Sequence, residues 1–353
     1  MFNKNSININ IPISISYLWN FGSLLGFFII LQITRGLLLI LNYINFSSLT
    51  FDYCIELFFD YNSGWLLHNL HANGASALFF FFFLHIWRGI YYTSYYKKFL
   101  WWRGLFLLLL NIITAFLGYV LPWGQISYWG TTVITGLVTV LPYVGYDVLS
   151  YIWGDKIVRS QTLSRFIVLH FLFPFVLIII IIVHTTFLHS YGSNNVFGLH
   201  NKIWTTKFNP LYRVKDILLV IVYMLRFNVV ILGIPTILIE VVNRLEANPI
   251  ITPTHIQPEW YFLFAYAILR SIPNKIGGVF ALVISIFIFF FFSFRRNYIR
   301  RKYKIIHKLI FYIFITVFIS LTILGACPVE APFIFIRKLI TCLYFIITLL
   351  FIL

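Results

Sequence analysis

Eight apolar runs, each of about 20 residues or more, leave this chain few ways to fold. They lie near residues 19–41, 66–91, 104–121, 166–188, 217–239, 276–293, 306–324 and 333–353. The core of a bilayer offers no water to an unpaired backbone amide, so segments of this length cross it as α-helices. The expected fold class is therefore all-α: a polytopic membrane protein with eight transmembrane helices. Composition agrees, because 61% of the 353 residues are hydrophobic and only 10% are charged, too few to cover a soluble surface.

The formal charge is +16. In a soluble chain that excess would suggest nucleic acid, but here the basic residues collect in the connections between apolar runs, so no nucleic-acid partner is expected. Eight spans put both termini on one side. That side gathers 16 Lys and Arg, including Arg88, Lys97, Lys98, Arg103 and the cluster at 295–304, against eight on the other. The bias places the termini on the side where the chain is synthesised. Cys54, Cys327 and Cys342 are isolated, which gives no support to disulfides, iron–sulfur centres or covalently attached haem. The first residues lack the pattern of a cleavable signal peptide.

Two connections on the opposite side are longer than turns. Residues 125–165 contain SYWGTTVITGLVTVLPYVG, expected to form short helices lying at the interface. Residues 243–275 contain prolines around a short aromatic-rich helix expected to start near Pro258.

The second span carries His71 and His85, and the fourth His170 and His184. Fourteen residues of helix return to within about 40° of the same face and rise about 21 Å. The two spans run in the same direction, so His71 matches His170 at one depth and His85 matches His184 at another. Two facing imidazoles can ligate one iron from both sides, and such a haem is suited to electron transfer. Two of them would stack across the membrane inside a four-helix bundle. The alternative is that these histidines hydrogen-bond across helices or line a polar pathway, as in a transporter. Gly22 and Gly36 in the first span, and Gly104 and Gly118 in the third, repeat the fourteen-residue spacing. They would leave room for a porphyrin edge, or serve close helix packing. Arg88 and Arg165 are placed to meet haem propionates, or to be solvated.

Beyond these spacings, six stretches resemble the mitochondrial cytochrome b family of cytochrome bc1 complexes. They are WNFGSLLG at 19–26, HANGAS at 71–76, GYVLPWGQISYWG at 118–130, GSNN at 192–195, PEWYFLFAYAILRSIPNK at 258–275 and PVEAPF at 328–333. The resemblance runs from about residue 17 to the C-terminus. It implies two haem b groups, a low-potential one on His71 and His170 near the outer face and a high-potential one on His85 and His184 near the inner. It implies a di-haem region at 1–200 and a four-span region with the PEWY segment at 201–353. The activity implied is that of the catalytic subunit of ubiquinol:cytochrome c oxidoreductase, active only within complex III. Quinol is oxidised at an outer site and quinone reduced at an inner one, with proton translocation. Implied partners are the Rieske iron–sulfur protein, cytochrome c1, other complex III subunits and a second copy of the complex. The location implied is the mitochondrial inner membrane, both termini in the matrix, and the cluster at 295–304 would attract acidic lipid such as cardiolipin.

By the same resemblance, Glu259 accepts a quinol proton at the outer site, where Tyr266, Phe116, Tyr119, Gly130 and Ile134 form the wall and Pro258 shapes the backbone. An ordinary alternative for Glu259 is a carboxylate capping a helix start. His189, Ser193 and Asp216 would serve quinone and its protons at the inner site, with Asn20 and Ser23 lining it. Three departures stand out. His68 occupies the position where the family usually has an arginine facing a propionate. Arg35 stands beside Gly36 where a small or hydroxyl residue is usual, and residues 226–246 lack the GDPDN stretch of animal sequences. Together with the high Phe content they suggest a divergent protist, apicomplexan-like source.

Overall fold

A computed structural model describes residues 9–195, 204–294 and 305–353. The basic cluster at 295–304 lies outside the described residues. The described residues form eight apolar helices long enough to cross a membrane. They are α1 (Phe21–Ile40), α3 (Gly64–Tyr91), α4 (Lys98–Val120), α7 (Ser160–Tyr191), α8 (Leu211–Gly233), α10 (Lys275–Phe291), α11 (Ile305–Ala326) and α12 (Phe333–Ile352). Between them lie α2 (Thr50–Phe59), α5 (Gln125–Gly136), α6 (Gly145–Trp153) and α9 (Leu263–Ser271).

Helices α4, α7 and α8 each begin before their apolar runs and α8 also ends early, and two of these differences have local reasons. Helix α7 begins at Ser160, before its apolar run, because Arg159 N–H donates to Thr162 Oγ1 (3.2 Å) and Thr162 Oγ1 donates to Trp153 O (2.8 Å). Those bonds satisfy amides and a carbonyl at a polar helix start. Helix α8 ends at Gly233 although residues 234–239 are apolar, because Pro235 cannot continue it. Asn73 Nδ2 holds the carbonyl of Pro235 at 2.9 Å, so this apolar turn folds back onto α3.

Helices α5 and α6 occupy the first long connection, as their sequence suggested. In the second, a 3-10 turn at Trp260–Phe262 leads into α9, two residues after Pro258. Helix α2 was not anticipated. Neither was a two-stranded sheet in which β1 (Asn10–Pro12) pairs antiparallel with β2 (Thr205–Lys207) and ties the N-terminal segment to the entry of α8.

Helix α1 packs along α3 and α4 along α7, while α10, α11 and α12 surround α9. The buried core is largely aromatic, with Phe28, Phe79, Phe292, Phe314, Tyr344 and Phe351 among its fully enclosed side chains. Its polar atoms are paired internally: Trp101 Nε1 donates to Phe289 O at 2.8 Å and the Tyr344 hydroxyl to Ser285 O at 2.7 Å. Outward residues such as Ile179, Leu225 and Val229 are exposed, as lipid-facing side chains must be.

Candidate functional site

The two helix pairs bring His71 and His170 face to face. Their ring centroids lie 6.2 Å apart and their planes cross at 82°. Two metal–imidazole bonds of about 2 Å on opposite sides of one ion, with the rings in line, give a centroid separation of about 6 Å. His170 Nδ1 lies 2.8 Å from Thr114 O, so that nitrogen carries the proton and leaves Nε2 free for a metal. Nδ1 of His71 and of His184 are buried without a hydrogen-bond partner, as in a site built to hold another group.

Each glycine of the fourteen-residue pairs stands against one of the four imidazoles. A methyl group on Gly36 would lie 3.1 Å from His71 Cε1, on Gly22 3.3 Å from His85 Cε1 and on Gly104 3.3 Å from His184 Cε1. On Gly118 it would overlap the His170 ring. The matching spacings thus have one cause: α1 supplies the gaps for the histidines of α3, and α4 those for α7. In this structure the space spared is taken by the imidazole rings.

Among the described residues no group of three or more His, Cys, Asp or Glu forms a metal cluster. A donor set of two imidazoles suits a metal that brings its own equatorial ligands, as haem iron does. Arg88 Nη2 lies 3.3 Å from His85 Nδ1, its Nε is buried without a partner, and its guanidinium stacks 5.3 Å over Trp19. Arg165 is exposed and lies 5.2 Å over the Tyr151 ring. His68 sits edge-on to Phe58 with a buried, unpartnered Nδ1.

A cavity of about 290 Å³ runs from this histidine pair to Glu259, so His71, His170, Gly36, Gly118, Tyr119, Tyr261 and Glu259 line one space. Burial, and then the nearby Glu240 carboxylate, push Glu259 up to about 8. Its side chain makes no capping hydrogen bond to the helix start that follows, which removes the capping alternative. Tyr261 stacks on Phe79 at 4.1 Å and fixes the floor. Tyr266, Phe116, Gly130, Ile134 and Pro258, also expected here, lie outside the lining of this cavity. Tyr266 donates to Ile256 O (3.1 Å) under the Arg270 guanidinium, bracing the loop. Phe116 packs edge-on against Phe166, while Gly130 and Ile134 lie on α5. Pro258 directly precedes Glu259.

The stretch Pro122-Trp123-Gly124-Gln125 is a dock for the segment leading to Glu259, a role missed from sequence. Ala247 N–H donates to Trp123 O (3.1 Å), Gln125 N–H to Leu245 O (2.9 Å), and Ser127 N–H to Asn243 Oδ1 (2.8 Å). A side chain on Gly124 would overlap the Asn243 carbonyl. Glu240 was also missed, and its carboxylate accepts a hydrogen bond from Gln257 Nε2. Glu240 and Glu259 are far apart in the sequence, which gives no local sign that the two carboxyls interact.

At the opposite end, Asn20, Ser23 and Asp216 come together. Asn20 Nδ2 and Ser23 Oγ both donate to Asp216 Oδ1, the latter at 2.7 Å. His189 is exposed in the last turn of α7, and Ser193 is half-buried just beyond it. Asn194 links this corner to the α3–α4 connection by donating to Ser94 Oγ (2.8 Å) and accepting from the Tyr96 hydroxyl (2.8 Å). Lys97 is buried there, donates to Gly192 O, and is pushed down to about 8 by burial and then by Arg88. It had been read only as part of the charge bias.

The family model described as cytochrome b/b6/petB matches residues 6–192, and the one described as cytochrome b(C-terminal)/b6/petD matches residues 246–345. A solved structure titled hyperthermophilic respiratory Complex III is similar to the whole chain. It shares 28% identity, has a TM-score of 0.90, and the match covers 97% of this chain and 92% of that one.

Proposed function

The chain belongs to the cytochrome b family, and from that premise we propose that it is the di-haem subunit of a bc1-type ubiquinol:cytochrome c oxidoreductase. In this reading it oxidises quinol at an outer site, carries electrons across the membrane through two b haems and reduces quinone at an inner site, coupled to proton translocation. The observation that carries it is the facing pair His71 and His170, opening directly onto the cavity that holds Glu259. Bound haem would supply reversible one-electron Fe(III)/Fe(II) chemistry at an iron with no vacant position.

The chain's own residues do the rest. His71 with His170, and His85 with His184, would hold the two irons, and the four glycines let those rings seat between helices. Arg88 and Arg165 are assigned to propionates at the two faces. Glu259 takes a quinol proton as a carboxylate whose proton affinity is matched to neutral pH by burial. Tyr119 and Tyr261 wall the same space, and Phe116, Gly130, Ile134, Pro258 and Tyr266 are assigned to the quinol site around it. Asp216, held by Asn20 and Ser23, supplies protons at the inner site together with His189, and Ser193 lines it. Residues 1–200 form the haem-carrying half and 201–353 the half that brings the PEWY segment. Partners in this reading are the Rieske protein, cytochrome c1, the remaining complex III subunits, a second copy of the complex and acidic lipid. The site of action is the mitochondrial inner membrane, with matrix termini.

Replacing His170 with leucine tests the assignment. The expected result is loss of one b-type absorption band from membranes that retain the other. Persistence of both bands would remove His170 from the ligand set.

A further inference from the structure

Arg35 is a cation inside the first span, 9% exposed, and a charge at that depth is costly unless something holds it. A carboxylate is the ordinary partner for such a charge. Among the described residues the one ion pair is Arg159 with Asp155, far along the chain. Arg35 Nη1 instead donates to the carbonyl of Leu70 at 3.0 Å, and its guanidinium lies 5.9 Å over the Phe227 ring of α8.

That carbonyl belongs to the residue before His71. Gln32, one turn earlier on α1, donates to the carbonyl of His71 itself at 2.8 Å. Gly36, next to Arg35, meets the His71 ring. Gly74 on α3 leaves room for the Gln32 amide, which a methyl there would overlap, and Arg35 Nη1 packs against the same position at ordinary contact distance. Three helices therefore clamp one buried positive charge close to a candidate iron ligand, with no protein carboxylate paired to it among the described residues. In such a site a charge acts at short range with little screening.

We propose that Arg35 sets the reduction potential of the outer haem by placing a fixed positive charge behind His71. The inference rests on the haem reading above. Oxidised iron carries one more positive charge than reduced iron, so a neighbouring cation favours the reduced form and raises the potential. Position 68, which faces the same cavity, holds a histidine in this chain, so Arg35 is the permanent cation that α1 and α3 supply at this depth.

An equilibrium redox titration of the two b haems in the intact complex tests this, comparing wild type with Arg35→Gln and Arg35→Lys. Gln keeps a hydrogen bond for the Leu70 carbonyl without the charge. It is expected to lower the reduction equilibrium of the lower-potential wave about tenfold, or about 59 mV for one electron, with the other wave unmoved. Lys is expected to restore the wild-type value. Should Arg35→Gln fail to accumulate, Phe227→Glu places an anion against the guanidinium and is expected to lower the same wave. An unmoved lower wave, or equal shifts in both waves, overturns the proposal. Absence of two b-type waves from the wild-type complex would instead overturn the haem reading on which it depends.

Discussion

Whether a methyl group is tolerated at Gly22, Gly36, Gly104 or Gly118 depends on how closely each faces its imidazole. Gly118→Ala overlaps the His170 ring, and overpacking of this kind costs about 1–3 kcal/mol. It is expected to remove or broaden the lower-potential haem band, whereas Gly22→Ala and Gly104→Ala, with 3.3 Å of clearance, are expected to retain haem. Optical spectra of the purified complexes would check this order. Glu259 offers a second test. Burial first and Glu240 second raise it to about 8, so it is protonated below that pH and becomes a competent base only above. Quinol oxidation should therefore rise with pH and level off beyond about 8. Glu259→Gln is expected to remove that inflection and slow turnover about 100-fold, and Glu240→Gln to move the inflection to lower pH, as a pH–rate profile would report. The histidines were legible because helical geometry turns sequence separation into depth. The partners of the glycines were not, since spacing alone does not say which ring a gap faces.

At the scale of elements, the PWGQ stretch and the 243–251 segment work as a latch that presents Glu259. Removing the Asn243 side chain leaves the Ser127 amide unpaired, a loss of about 1–3 kcal/mol. Asn243→Ala is expected to raise KM for quinol about tenfold while both haem bands stay intact. Equal loss of haem would show that the latch supports the bundle and not the loop. The eight spans and the two interfacial helices were legible because a bilayer demands long apolar runs. The early start of α7 and the β1–β2 pair were not, because they depend on partners that periodicity does not encode, Trp153 O for Thr162 and Lys207 for Asn10. The end of α8 at Gly233 had a local signal in Pro235 that the apolar run masked, and helix α2 is too short for a spanning run.

At the scale of the whole molecule, the eight spans among the described residues set the sidedness of each loop relative to the others. Tyr143, between α5 and α6, is fully exposed, and Lys98 is exposed at the start of α4. In a background lacking the three native cysteines, Tyr143→Cys and Lys98→Cys are expected to react with an impermeant thiol reagent from opposite sides. Labelling from one side would contradict the eight-span arrangement. The arrangement matters because it stacks the two histidine pairs at different depths, with Glu259 opening onto the outer pair and Asp216 at the opposite end. The account as a whole is tested most directly by an optical redox titration of the purified complex, poised chemically and then with a quinol. Two b-type waves with bis-imidazole spectra, both reducible by quinol, are the expected result. A single haem, or two haems that quinol does not reduce, would contradict it.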